Sequence, residues 1–145
     1  MPIPVVTKVD LRDLDKNRAV GIPLPFNGKG VFNKTFQTKD QVKSNIINLL
    51  LTSKGERPLN PEFGSDLPKS LFEPLDTITI TQIQNQIINS ISTYIPEVVL
   101  TDKNGNTDIT ITPDIERNTI YITISYFLKL SGVKDTLIID FSTLQ

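Results

Sequence analysis

The 145-residue sequence contains no cysteine and no histidine. These two absences exclude disulfide frameworks, thiolate and imidazole metal sites, cysteine nucleophiles and histidine-based catalytic triads. No apolar run approaches the ~18 residues that a membrane-spanning helix needs. The N-terminus has neither the basic start nor the apolar stretch of a signal peptide. We therefore expect a chain made in the cytoplasm that contacts no membrane and carries no cofactor.

Composition and charge favour one soluble domain. Hydrophobic residues make up 38% of the chain and the net charge is −1, which suits a single core at this length. Basic residues are more frequent in the first 57 residues, but they are scattered and interleaved with acids. This pattern indicates a solvated surface, so we expect no nucleic-acid partner.

The first 37 residues show no sustained helical period, because glycines and prolines interrupt them. Among these glycines and prolines lie Phe26, Val31, Phe32 and Phe36. They either pack on the chain's own core or anchor an extended arm in a neighbouring subunit. We assign residues 1–37 to an extended N-terminal arm and residues 38–145 to a single α+β domain.

Two amphipathic helices follow the arm. Thr38, with Gln41 three residues later, fits a capping box at the start of the first helix, and Gly55 is expected to end it. The second helix ends before Pro96, because proline disfavours helical geometry in the preceding residue. Its apolar face comprises Ile80, Ile83, Ile87, Ile91 and Tyr94.

The C-terminal third alternates apolar and polar residues, which is typical of strands. Asn104-Gly105 predicts a tight turn between two of them. The longest strand carries Ile120, Ile122, Ile124, Tyr126 and Leu128 on one side. The predicted fold is α+β, with two main helices packed on one face of an antiparallel β-meander of three to four strands.

Little in the sequence favours catalysis or metal binding. Glu56, Glu62, Asp66 and Glu73 supply the carboxylates that a glycosidase needs in pairs, but exposed or structural roles explain them more simply. The oxygen-rich run from Asp102 to Asp108 lacks the closing glutamate of a calcium loop, and a hairpin turn accounts for it. We therefore expect no enzymatic activity.

The motif from Thr52 to Asp76, TSKGERPLNPEFGSDLPKSLFEPLD, combines prolines and glycines with apolar residues. It contains Gly55-Glu56-Arg57, then Pro61-Glu62-Phe63-Gly64, then Leu67, Leu71 and Phe72. This order and spacing resembles the signature of the small baseplate wedge proteins, or sheath initiators, of contractile-tailed phages. That family is related to a component of type VI secretion baseplates. The resemblance covers residues 20–145.

The resemblance implies a structural role in the virion tail baseplate, assembled in the host cytoplasm. Six copies would surround the tail tube and dock on a core bundle of other baseplate wedge proteins. The tail sheath protein would join an edge of the sheet by strand addition, and tail tube proteins are further expected partners. The final strand, DTLIIDF, is the expected edge; the alternative is that the N-terminal arm covers it.

We expect nine residues to contact partners on this interpretation: Glu56, Arg57, Glu62, Phe63, Pro96, Glu97, Leu137, Ile139 and Phe141. The family's Glu-Pro-Arg motif after the second helix, linked to docking, is replaced here by Ile95-Pro96-Glu97. Two other functions stay open through relatives: a baseplate-associated lysozyme activity, and regulatory binding of the anti-adaptor type.

Overall fold

The computed structural model describes residues 11–16, 18–23, 34, 37–70, 73–101, 104–114, 116–117 and 119–142. After a 3-10 turn at Leu11–Leu14, the elements are α1 (Thr38–Leu51), α2 (Leu67–Ser70), α3 (Thr77–Tyr94), β1 (Val98–Val99), β2 (Ile109–Asp114), β3 (Thr119–Leu128) and β4 (Lys134–Ser142). This arrangement confirms the predicted α+β fold. None of the described helices is long and apolar enough to cross a membrane. Six predicted apolar contacts lie outside the described residues: Phe26, Val31, Phe32, Phe36, Leu71 and Phe72.

The long strand β3 is the centre of the sheet. Strand β4 runs antiparallel along one side of it, from the pair Thr119↔Ser142 to the pair Phe127↔Lys134. Strands β1 and β2 share the other side, end to end, because β2 covers only residues 119–124 of β3 and leaves 127–128 for β1.

The turn predicted at Asn104-Gly105 is present, and Gly105 has a φ of 81°. An antiparallel bridge between Thr101 and Thr107 closes the loop below it. The strands on either side of this loop do not pair with each other, because both pair with β3 instead. The Asn-Gly turn therefore lies in a loop that connects β1 to β2 on the same side of β3.

One core lies between the helices and the inner face of the sheet. Ile83, Ile87 and Ile91 of α3 are fully buried against alternate residues of β3 and a stripe of α1. Burying one such side chain stabilises the fold by about 1.5–3 kcal/mol. Since α3 is rich in residues of mediocre helix propensity, this packing holds the helix in place.

The predicted capping box at the start of α1 is wrong. Gln37 occupies the N-cap position and its side chain makes no capping bond. Asp13 of the N-terminal segment caps α1 instead, because one carboxylate oxygen accepts from both the N–H and the hydroxyl of Thr38, each at 2.7 Å. A full negative charge at a helix N-terminus is favoured over a neutral hydroxyl cap. Gln41 is therefore free to donate to Asn45.

The predicted ends of the helices have different outcomes. The end of α1 expected at Gly55 is wrong: the helix ends at Leu51, because the backbone is already extended at Thr52, with a ψ of 124°. The N–H and the hydroxyl of Thr52 both donate to the carbonyl of Asn48 and satisfy it. Gly55 has a φ of 86°, but its N–H donates to the carbonyl of Pro61 within the following loop. Helix α3 ends at Tyr94, which confirms the stop expected before Pro96.

Candidate functional site

Two proline-initiated turns shape the loop after α1. The N–H of Asn60 donates to the carbonyl of Arg57, and the N–H of Phe63 donates to the carbonyl of Asn60. Pro58 and Pro61 occupy the second position of each turn, where the fixed φ of proline is preferred. The loop therefore has a defined conformation in the absence of any partner.

Ser65 and Gly64 fasten this loop to the end of α1. The buried Ser65 donates its hydroxyl to the carbonyl of Leu50 and its N–H to the carbonyl of Thr52, both at 2.9 Å. Gly64 has a φ of 124°, and a Cβ at this position would collide with the Thr52 carbonyl oxygen. Only glycine combines this conformation with so close an approach of two backbones.

An aromatic stack fixes the side chain of Arg57. Its guanidinium carbon lies 4.1 Å from the centre of the Phe63 ring, and one nitrogen donates to the Asn48 side chain at 3.1 Å. Phe63 in turn packs edge-to-face on Tyr94, with ring centres 5.2 Å apart. The Tyr94 hydroxyl donates to the carbonyl of Glu62 at 2.6 Å. The Arg57 charge is therefore held at a defined place at the surface.

A cleft of about 260 Å³ opens beside this stack. Its walls come from α1, the proline loop and the end of α3: Asn45, Asn48, Leu49, Arg57, Phe63, Tyr94, Ile95 and Glu97. A second cleft of about 230 Å³ shares Asn45 and Glu97 and continues along α1 toward Val20 and Gln41. We call these two cavities together the α1 groove.

The carboxylates of the loop have structural contacts. A Glu56 oxygen accepts from the N–H of Ser53 at 2.9 Å. Asp66 lies 3.5 Å from Lys54 and 3.6 Å from Lys69. Among the described residues, no group of three carboxylates is placed to hold a metal ion.

Strand β4 forms an edge of the sheet in the described part of the chain, where it pairs with β3 alone. Leu137 and Ile139 are buried in the core and Phe141 is half-buried against it. Alternation along a strand sends Thr136, Ile138 and Asp140 to the opposite face. Ile138 is 65% exposed there.

Asp135 at the start of β4 joins the edge to α1. One of its oxygens accepts from the N–H of Thr136 at 2.9 Å. The other lies 3.2 Å from Lys43 and 3.7 Å from Lys39, and accepts weakly from the Tyr126 hydroxyl at 3.4 Å. Burial favours the neutral acid, but the Thr136 hydrogen bond and the two lysines outweigh it and lower the pKa of Asp135. Burial and the Asp135 charge together raise the pKa of Tyr126.

The structure divides the nine predicted contact residues into two groups. Arg57, Phe63 and Glu97 line the α1 groove, and Glu56, Glu62 and Pro96 adjoin these three in the chain. Leu137, Ile139 and Phe141 belong to β4, with their side chains toward the core. The sequence interpretation missed Asn45, Asn48 and Ile138. The helical spacing of Gln41, Asn45 and Asn48 and the strand alternation around Ile138 are the signals that indicate them.

The family model described as baseplate wedge protein gp25 matches residues 37–132. The chain belongs to this family. The match confirms the resemblance carried by the motif at Thr52–Asp76. Among curated proteins, baseplate wedge protein gp25 of Enterobacteria phage T4 is 33% identical to this gp25-family chain over 57 residues. That alignment covers 39% of this chain and 43% of the T4 protein, so it spans less than half of either.

Solved structures with the same fold include other tail proteins. A crystal structure of a putative tail lysozyme from Geobacter sulfurreducens has a TM-score of 0.66 at 21% identity, over 75% of this chain and 94% of that one. A protein in the cryo-EM structure of the anti-feeding prophage baseplate has a TM-score of 0.53 at 19% identity, over 86% and 85%. At these identities the likeness concerns the fold.

Proposed function

We propose that this gp25-family chain is a structural, non-enzymatic part of a contractile tail, present in six copies in the virion baseplate and assembled in the host cytoplasm. It docks on other wedge proteins through the α1 groove and the proline loop, next to the tail tube. Its sheet then receives a strand from the tail sheath protein. The observation that carries this proposal is that β4 pairs with β3 alone in the described part of the chain, which leaves its other side without a partner strand there.

Strand β4 has the properties of a template for another chain. It is nine residues long, contains no proline, and pairs with β3 alone among the described residues. The unpaired side of an edge strand presents a row of backbone donors and acceptors, and an extended segment can pair with them. Because Leu137 and Ile139 are committed to the core, an added strand would bind the backbone of β4 and the outward side chains.

The α1 groove is suited to docking because its charged group is already in place. Asn48 and Phe63 hold the guanidinium of Arg57, so binding would not need to order it. A planar guanidinium recognises carboxylates through paired hydrogen bonds. Glu97 stands where the family motif has arginine, and Arg57 lines the same cleft as Glu97. We assign to Arg57 the cationic contact that the Ile95-Pro96-Glu97 sequence lacks.

Co-elution with purified wedge proteins of the same tail tests the docking surface. We expect the wild-type chain to co-elute and Arg57→Ala to lose at least tenfold in affinity, as expected for a buried charged contact. Arg117→Ala is a matched control, because Arg117 pairs with Asp114 at the β2–β3 turn and lies outside the groove. Equal binding by both variants would exclude the role given to Arg57.

A peptidoglycan turnover assay tests the non-enzymatic part of the proposal, since one neighbour in fold carries the name of a putative tail lysozyme. Glu56 accepts a hydrogen bond from the backbone of Ser53, and Asp66 forms ion pairs with lysines, so both carboxylates stabilise the loop. We expect no turnover. Activity that disappears in Glu56→Gln or Glu62→Gln would establish an enzyme instead.

A further inference from the structure

The hydrogen-bond pattern of the sheet determines which backbone N–H and C=O groups of β4 point away from β3. The N–H of Ser125 donates to the carbonyl of Asp108, on the β2 side of β3. The backbone N–H and C=O groups of successive residues point to opposite sides of a strand. Those of the even-numbered residues of β3 therefore point toward β4. Their register partners, such as Leu137 and Ile139, complete those bonds. The outward groups of β4 therefore belong to its even-numbered residues, including Thr136, Ile138 and Asp140.

One of these outward groups is already occupied. The N–H of Thr136 donates to the carboxylate of Asp135 at 2.9 Å. The carboxylate is itself held in place, because its second oxygen lies within 4 Å of both Lys39 and Lys43. An added strand would have to break this hydrogen bond to pair with Thr136, whereas no described residue pairs with the outward groups of Ile138 and Asp140.

We propose that Asp135 is an end stop that sets the register of the added strand, and that Ile138 is the side chain the strand packs against. This inference rests on the proposed strand addition at β4. Pairing would begin at Ile138 and continue through Asp140. Slippage by two residues toward Thr136 preserves the face of every side chain, so alternation alone does not prevent it. The hydrogen bond from Thr136 to Asp135 opposes that slippage.

Ile138 defines the chemistry of the partner. Its side chain is exposed on the outer face, beside its register partner Thr123 of β3. A β-branched or aromatic residue directly opposite would form a favourable cross-strand pair. A carboxylate at that place would instead lie near Asp140 on the same face. The partner is therefore an extended polypeptide segment with an apolar residue opposite Ile138.

Amide hydrogen exchange on the isolated chain tests the end stop. We expect the N–H of Thr136 to exchange at least about tenfold more slowly than those of Ile138 and Asp140, because among the described residues only the first has an acceptor. Asp135→Ala should remove that protection, whereas Asp135→Asn keeps an acceptor oxygen while it loses the charge that pairs with the lysines. Equal exchange at the three positions in the wild type would overturn the inference.

Cysteine crosslinking tests the register, and the lack of native cysteine makes single substitutions unambiguous. Ile138→Cys is combined with single cysteines scanned along the terminal segments of the tail sheath protein. We expect one sheath position to crosslink in the wild-type background, and a second, two residues away, in Asp135→Ala. Ile78→Cys is the matched control, since Ile78 is 68% exposed but lies on α3.

The crosslinking outcomes separate the two proposals. One unchanged crosslink in both backgrounds would overturn the end stop and leave strand addition intact. No crosslink at Ile138→Cys in either background would overturn strand addition itself. Asp135→Asn guards against a folding defect, because it should keep the single wild-type position. A second position in Asp135→Asn as well would assign the register to charge and overturn the hydrogen-bonded stop.

Discussion

At the scale of single residues, two glycines of the proline loop are needed for different reasons, one for its backbone conformation alone and the other also for lack of space for a Cβ atom. Gly55 and Gly64 both have positive φ, but a Cβ at Gly55 meets open space, whereas one at Gly64 meets the Thr52 carbonyl. We expect Gly55→Ala to cost about 1–2 kcal/mol and Gly64→Ala about 2–5 kcal/mol in unfolding free energy, because the clash adds to the conformational cost. Urea unfolding measures both, and equal costs would contradict the role of Gly64.

The charge of Asp135 makes stability depend on pH. Its folded pKa lies below the ordinary value of 3.8, so its stabilising contribution is complete above that pH and is lost as the pH falls through the folded pKa. We expect the stability difference between the wild type and Asp135→Asn to be largest near neutral pH and to shrink in acid. Chemical unfolding at several pH values measures it. A difference that is constant down to pH 2 would show that the ion pairs do not contribute.

Ile138 shows what a residue-level interpretation of sequence can and cannot supply. The stretch DTLIIDF identifies an apolar strand. Its three alternating apolar residues pack in or against the core, and these are Leu137, Ile139 and Phe141. The fourth apolar residue, Ile138, is the exposed one. Alternation contains this information, whereas the direction of the backbone groups does not follow from sequence, because it depends on pairing with β3.

At the scale of elements, the start of α1 depends on a residue 25 positions earlier. Asp13 accepts two hydrogen bonds from Thr38, so the N-terminal segment fixes the first turn of the helix. We expect Asp13→Ala to cost about 1–2 kcal/mol of unfolding free energy. Thr38→Ala keeps the backbone N–H donor and should cost less. Unfolding in urea tests both, and a neutral Asp13→Ala would contradict the cap.

Periodicity predicts the long elements of this chain better than it predicts their partners. Isoleucines at helical spacing in α3 and the alternation of β3 each identify one element without ambiguity. The cap from Asp13 is not visible locally, since Thr38 and Gln41 satisfy the pattern of a capping box. Likewise, an Asn-Gly turn does not reveal that β1 and β2 both pair with β3.

At the scale of the whole molecule, the two candidate surfaces lie on opposite sides of the central strand. Glu97 of the α1 groove accepts the N–H of Lys129 through its carbonyl, which places the groove beside β1. Strand β4 lies across β3 from β1. A wedge protein in the groove and a strand on β4 would therefore approach different sides of β3, and the contacts of Lys39 and Lys43 with Asp135 connect α1 to the start of β4.

This separation has a measurable consequence. Because the groove and the edge share no contact residues, Arg57→Ala should weaken co-elution with wedge proteins and leave crosslinking at Ile138→Cys unchanged. Binding free energies of distant sites usually add within a few tenths of a kcal/mol. Loss of both activities in Arg57→Ala, in a chain that still folds, would show that the two surfaces are coupled.

A cryo-EM map of the assembled tail tests the central claim most directly. We expect six copies of this chain in the baseplate, each with a strand of the sheath protein paired along β4 from Ile138 to Asp140. The α1 groove should be covered by a wedge protein. A map in which β4 is bare, or is paired with the chain's own N-terminal residues, would contradict strand addition as the function of this edge.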